Sequence, residues 1–402
     1  MSAQPPATAL LVSSSRDAAS AALLWLLIVC TPFPLGQTGS IQLSHILLSV
    51  LVIIAITRPV VLDLPVIVLL LWIAFASYVL SVGMIWASLL GDFEPLIYAL
   101  PIALGVATFF IVLLELRRNA PRVITILRNA CLISLLLQGA LLVVGQWDLT
   151  SARGTLFFAN PNQLAYFALL AGSIFFACHH LRNDGSVAMM FAMSILTSGL
   201  LLFSRSKAGI VALAFLLVLA VARQQRGRIV VLPSIALITL AALPQLFEFF
   251  TEIVPTLLQI GSEQDESLAG RGYDRIWRFP QYLFFGAGEG AFQRFRSMYD
   301  VEIHSTLGSL IFSYGLVGAG LALLALVASI GRSLAGFLYL GPVMIYGLAH
   351  NGIRQPLLWV LLAVAVSFEF SSRAVKASYA QRQGQGSYAL SKGDHGRIQV
   401  RR

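Results

Sequence analysis

Charge is what this sequence has least of. Only 11% of its 402 residues are Asp, Glu, Lys or Arg, whereas a water-soluble domain carries about 25%. So small a supply of charge cannot cover the surface of a soluble chain of this size. Cysteine is equally sparse. Cys30, Cys131 and Cys178 lie far apart, in or near apolar segments, and indicate neither a disulfide framework nor a metal cluster. No His-Glu-x-x-His run and no Cys/His zinc spacing occurs, so no metal or other cofactor is implied. The long apolar stretches also lack the polar face at 3.6-residue spacing that marks a surface helix.

What fills the chain is apolar residues, 58% of the total, in blocks such as 123–144, 187–203, 229–243 and 307–330. Each approaches the roughly 20 residues that a helix needs to cross a bilayer core. Backbone polar groups in lipid must be satisfied internally, so these blocks predict helices. The pattern predicts an all-α polytopic membrane protein with about twelve transmembrane helices, near 18–34, 42–57, 64–88, 95–114, 123–145, 162–178, 187–203, 207–222, 229–246, 304–329, 334–349 and 356–371. The first is expected to be a retained span rather than a cleaved signal peptide.

Basic residues set the orientation, because Lys and Arg accumulate in cytoplasmic loops. With both termini inside, the inner segments hold eighteen of the 27 basic residues and the outer segments nine. The net charge of +9 is thereby explained by topology, and no nucleic-acid partner is implied. Residues 1–246 hold nine spans, and 247–303 form one long outer loop with short helices. Residues 304–371 hold the last three spans, and 372–402 read as a disordered basic cytoplasmic tail lying near membrane lipids. Within the loop, short helices are expected over 253–260, 273–282 and 292–298, with a tight path at Gly286, Gly288 and Gly290.

The nine outer cations call for a local reason. They are Arg153, Arg205, Lys207, Arg271, Arg275, Arg278, Arg294, Arg296 and Arg354. A guanidinium binds phosphate oxygens bidentately and stays charged at ordinary pH, so Arg205, Arg271, Arg275, Arg153 and Arg354 suit a diphosphate at the outer face. Each alone reads equally well as a snorkelling or paired interfacial arginine. His304, beside Glu302 at the start of a span, is the candidate base, since histidine exchanges a proton near neutrality. A lone histidine is more often structural. His45, His179, His180 and His350 are weaker candidates, as are Asp274 and Glu302 for acid or base work. Asn160 and Pro161 have the residue types that open a helix, and Asn162, Gln163 and Lys207 would orient a sugar or phosphate at the rim.

The run GTLFFANPNQLAYFALLAG at 154–172, followed by SRSKAG at 204–209, resembles the membrane core of bacterial O-antigen ligases and the related O-antigen or exopolysaccharide polymerases. Arg275-Ile276-Trp277, then FGAGEGAF at 285–292, His304-Ser305 and YGLVG at 314–318 are similar to the family's long periplasmic loop and the helix after it. The resemblance implies transfer of a glycan from an undecaprenyl-diphosphate carrier to an acceptor hydroxyl on the periplasmic side of the inner membrane. The acceptor is lipid A-core in the ligases and a second lipid-linked glycan in the polymerases. It implies that His304 is the catalytic base, and that Arg205 and Arg275, with Arg153, bind the diphosphate. The family commonly has Asn where this chain has Ser305. A secondary transporter or lipid-linked sugar flippase, and a non-catalytic assembly component, are the rival classes. The clustering of ionisable residues at one outer mouth, rather than at the midplane of broken helices, favours the transferase.

Overall fold

The computed structural model describes residues 7–33, 43–57, 65–144, 155–158, 160–182, 186–223, 272–295, 302–331 and 333–369. The expected span at 229–246, the helix at 253–260, loop residues 247–252, 261–271 and 296–301, and the tail at 372–402 lie outside the described residues. What is described is helical, with no strand among the described residues. In chain order the helices are α1 (Ala7–Cys30), α2 (Leu43–Ile56), α3 (Val66–Leu90), α4 (Glu94–Val144), α5 (Pro161–Arg182), α6 (Val187–Ser204), α7 (Lys207–Arg223), the short α8 (Asp274–Arg278), α9 (Thr306–Ser313), α10 (Gly315–Ile330), α11 (Leu334–Gly347) and α12 (Pro356–Glu369). Four of them, α3, α4, α5 and α6, are long and apolar enough to cross a membrane.

The helices differ in what they bury. In α5 every residue from Leu164 to His179 is buried, which makes it the central helix, packed by α4, α6, α7 and α11. A helix apolar on all sides must be enclosed on all sides or face lipid. α3 is enclosed on one side only. It buries Trp72, Phe75 and Val79 but leaves Val66, Ile67, Leu70, Ile73, Met84, Ile85 and Leu89 exposed. In water such a face would be an aggregation surface; facing hydrocarbon it costs nothing.

The 51 residues of α4 would form a rod about 76 Å long at 1.5 Å per residue, far beyond the roughly 30 Å of a bilayer core. Asn119 interrupts it with φ −151° and ψ 72°. Pro121 supplies no N–H and disfavours helical geometry in the residue before it. The Asn119 side chain then accepts from the Arg122 N–H at 3.2 Å, starting a second limb. That limb runs back. Tyr98 near the start of the first limb stacks under Arg354, close to where α5 begins, whereas Thr125 early in the second limb accepts from Arg182 at the end of α5. The two limbs match the expected spans at 95–114 and 123–145.

The span expected at 304–329 is broken in two at Tyr314 and Gly315. Residues 283–288 stitch the break. The N–H groups of Ala287 and Gly288 donate to the Phe312 and Ser313 carbonyls at 2.9 and 2.8 Å, and those of Leu316 and Val317 donate to the Leu283 and Phe284 carbonyls at 2.7 and 3.3 Å. Helix ends leave such groups unpaired, and a crossing strand of loop pairs them here. Gly286 (φ 92°), Gly288 (φ 69°), Gly290 (φ 77°) and Gly315 (φ 68°) supply the left-handed turns and close approaches this requires. Trp86 of α3 donates to the Gly286 carbonyl at 3.2 Å, and Tyr78 to the Phe285 carbonyl at 2.8 Å. The expected helix over 273–282 is shorter than its pattern. α8 stops at Arg278, and Pro280 opens a separate 3-10 turn, Pro280–Tyr282. A second 3-10 turn, Phe292–Phe295, stands in the region expected to be helical over 292–298.

Candidate functional site

His304 lies at the head of α9, and the chain around it is held from several sides. Ser305 caps α9, its hydroxyl accepting from the Gly308 N–H at 3.1 Å. Serine does here what helix-capping chemistry asks of an Asn, Asp, Ser or Thr. The His350 carbonyl accepts from both the N–H and the hydroxyl of Thr306, at 3.2 and 3.0 Å, and the Gly352 N–H donates to that hydroxyl at 3.0 Å. The 349–355 turn between α11 and α12 is thus tied to the first turn of α9. The His350 ring lies tilted against Tyr166 of α5 and Tyr346 of α11, with centroids 5.4 and 5.6 Å away. Burial holds it neutral, lowering its pKa to about 3, with the charges of His304 and Arg354 adding to the effect. The two histidines are therefore electrostatic neighbours.

Helix ends far apart in sequence meet here. The Tyr346 hydroxyl donates to the Asn162 carbonyl at 2.9 Å and lies 3.1 Å from the Ser206 hydroxyl. Asn160 caps α5 through its side-chain oxygen, which accepts from the Gln163 N–H at 2.9 Å. Asn162 and Gln163 are half-buried beside it. Arg205 is exposed in a left-handed turn (φ 48°) that ends α6, and Lys207 opens α7 two residues later. His45 of α2 hydrogen-bonds the backbone of Arg354. The expected rim residues Asn160, Asn162, Gln163, Arg205, Lys207, His304 and Arg354 thus belong to helix ends joined by these contacts.

Arg354 is the best-connected cation of the set. Its guanidinium contacts the Glu302 carboxylate directly, stands 3.8 Å from Glu289 through Nε, and lies 4.6 Å above the Tyr98 ring. Burial works against the charge, but Glu302 and Glu289 outweigh it and hold the group above the ordinary arginine range. Glu289 is itself only 2% exposed. Burial pushes its carboxyl up to about 7, with Arg354 pulling the other way. Asn351 donates to Glu289 at 3.5 Å and to Ser309 at 3.0 Å.

Arg275 lies next to this cluster, across Phe292, whose ring meets that of Tyr98 with centroids 5.8 Å apart. The Arg275 side chain is fully buried, with the guanidinium 5.3 Å from the Phe292 ring centroid and 5.4 Å from that of Phe295. Arg294 shares that Phe295 ring, lies 4.6 Å from Trp86, and donates to the Ala287 and Gly288 carbonyls. Burial lowers its pKa to about 10, opposed by Tyr282 and reinforced by Arg275. Arg278 pairs with Asp274 at 3.0 Å. Arg275 and Arg278 therefore stand in different surroundings. Arg271 precedes the start of α8, and it and Arg153 lie outside the described residues.

Sequence reasoning did not single out Glu289, Tyr98, Asn351 or Tyr346, and ranked His350 low. For Glu289 a signal was present: an acid within Gly-Ala-Gly-Glu-Gly, where closely packed backbone leaves little room for water. Among the described residues no group of three or more His, Cys, Asp or Glu is arranged to hold a metal ion. Comparison with known proteins finds no matching family model and no matching curated protein.

Proposed function

We propose that the chain is a multi-pass inner-membrane glycan transferase with about twelve spans and both termini cytoplasmic. It moves a glycan from an undecaprenyl-diphosphate carrier to an acceptor hydroxyl at the periplasmic face, as an O-antigen ligase acting on lipid A-core. The observation that carries this reading is the convergence of a histidine pair, the Arg354 cluster and the Asn160-to-Lys207 helix ends at one end of the bundle. Alternating helix direction puts these ends together only if the helices run back and forth, as spans do.

The chemistry follows from the residues. A lipid diphosphate is already an activated leaving group, so neither nucleotide nor metal is required. His304 accepts the proton of the acceptor hydroxyl as its oxygen bonds to the anomeric carbon. The bond from that carbon to the phosphate oxygen breaks in the same step, which inverts the anomeric configuration. Arg354 and the exposed Arg205 stabilise the charge growing on the departing diphosphate. Arg275, buried beside Phe292 and Phe295, holds the loop in shape next to them.

The test is genetic and chemical together. The gene is deleted in its host and restored as wild type or as His304→Ala, and surface glycans and carrier-linked intermediates are measured. Complete chains stranded on their carrier support the ligase. Single stranded repeats move the assignment to an O-antigen or exopolysaccharide polymerase. An unchanged glycan profile in the deletion strain refutes glycan transfer altogether.

A further inference from the structure

Two carboxylates share one guanidinium at the head of α9. Glu302 touches Arg354, while Glu289 stands off at 3.8 Å. With both acids ionised the trio carries a surplus negative charge, which an incoming anion would meet. The acid at the looser contact is also the one with the least water, being 2% exposed, and a buried carboxylate is costly to keep charged.

A second detail concerns hydrogen bonding. Asn351 Nδ2 donates towards Glu289 Oε1, yet Asn351 Oδ1 and Glu289 Oε2 are buried with no hydrogen-bond partner. A carboxamide beside a carboxyl group completes both bonds when the acid is protonated, with N–H donating one way and O–H the other. The neutral acid therefore has its acceptor in place. Glu289 is faced by Arg354 and Asn351 from the 349–355 turn, by Glu302 ahead of α9, and by Tyr314 between α9 and α10. Tyr98 of α4 lies beneath Arg354, with Glu94 of the same helix close to it.

We propose that Glu289 is the exchangeable counter-anion of Arg354: it neutralises the guanidinium while no diphosphate is bound, and takes up one proton, becoming a donor to Asn351, when a diphosphate binds there. This rests on the reading of Arg354 as a diphosphate-binding residue. An approaching anion raises the proton affinity of a nearby acid, and linkage then makes binding tighten as pH falls. With the carboxyl titrating at about 7, about one chain in eleven carries the proton at pH 8, which weakens apparent affinity about tenfold.

The sign of the effect separates exchange from bracing. Glu289→Gln mimics the neutral acid, so it binds about tenfold more tightly than wild type at pH 8 and about equally at pH 6. A carboxylate that only braced the fold would loosen binding when removed. The experiment is calorimetric titration of the full chain in detergent micelles with farnesyl diphosphate, and separately with inorganic diphosphate, in two buffers of different ionisation enthalpy. At pH 8 wild type takes up about one more proton per diphosphate than the Gln variant, and Glu289→Asp keeps the uptake. Tighter binding of the prenyl form assigns the site to a lipid carrier, and equal binding to free diphosphate. Equal proton uptake in the two chains, or weaker binding by Glu289→Gln, overturns the exchange while leaving Arg354 as a diphosphate ligand. If neither diphosphate binds wild type, the reading of Arg354 falls and the exchange with it. Wild type alone provides a check that needs no variant. Adding diphosphate must bring up a protonated carboxyl band in the infrared difference spectrum of glutamate-labelled protein, and its absence sinks the proposal.

Discussion

The two ends of the helical bundle use their charges differently. At the end opposite His304, Arg118 pairs with Glu115 one turn away at 3.1 Å and remains 29% exposed, and Arg182 reaches across to Thr125. The first contact spans one helical turn and its arginine is partly solvated, while the second ties the end of α5 to the second limb of α4. At the His304 end, Arg354 answers to residues from α4, from the segment before α9 and from the Gly-rich loop, with its side chain only 15% exposed. Basic residues are common at both ends. What marks the second is two carboxylates from different segments brought to one guanidinium that also lies over an aromatic ring, an arrangement costly to bury.

That contrast can be broken by substitution. His304→Ala should reduce glycan transfer by about a hundredfold or more, with the protein still inserted and accumulating, as read from carrier-linked product and immunoblotting of membranes. If Arg118→Ala at the opposite end reduces transfer as much, the distinction between the ends is void. Gly286→Ala should be the most damaging change to folding. A methyl group there would lie 2.6 Å from the Tyr314 Cα, on a backbone at φ 92°. Strain of that kind costs about 3 kcal/mol or more, and should appear as loss of monodisperse protein. Gly320→Ala, with open space around it, should be tolerated.

His350 gives the comparison a pH dependence. Folded, the ring stays neutral down to about 3, whereas in the unfolded chain it protonates below about 6.5. The unfolded state binds more protons between those limits, so stability contributed by His350 falls as pH drops through that window. Glu289 works oppositely between 4.5 and about 7, because the folded state holds its proton more tightly. His350→Gln should therefore flatten the acid side of a plot of melting temperature against pH. A smaller effect is expected from Ser305→Ala, which loses the cap of α9 and about 1 kcal/mol, while Ser305→Asn should retain it. Thermal unfolding in micelles measures both. Arg118→Ala should change stability least, by under about 1 kcal/mol.

Much of the helical order was legible in the sequence, because unbroken apolar runs leave few alternatives. The limits of α3, α6 and α7 fall within a few residues of expectation, and Asn160 opens α5 with its expected cap. The turn at Asn119 was implied by two spans lying too close for one helix. The break at Tyr314 and Gly315 was not legible, since 304–329 reads as one apolar block and its unpaired backbone groups are met by residues some thirty positions earlier. The site was legible by residue type but not by pairing. His304 and Arg354 stood out as polar groups at apolar edges, and Glu289 did not, because an acid among glycines looks solvated until the fold covers it. Arg275 stood out as a cation, but its burial beside the Phe292 and Phe295 rings was not legible.

The crossing of 283–288 over the break between α9 and α10 also bears on biogenesis. The first amides of α10 take their partners from a segment made earlier by the ribosome. The helix therefore reaches its final shape only when that earlier segment is in place. Shortening the upstream loop would leave a helix that forms on time and settles late.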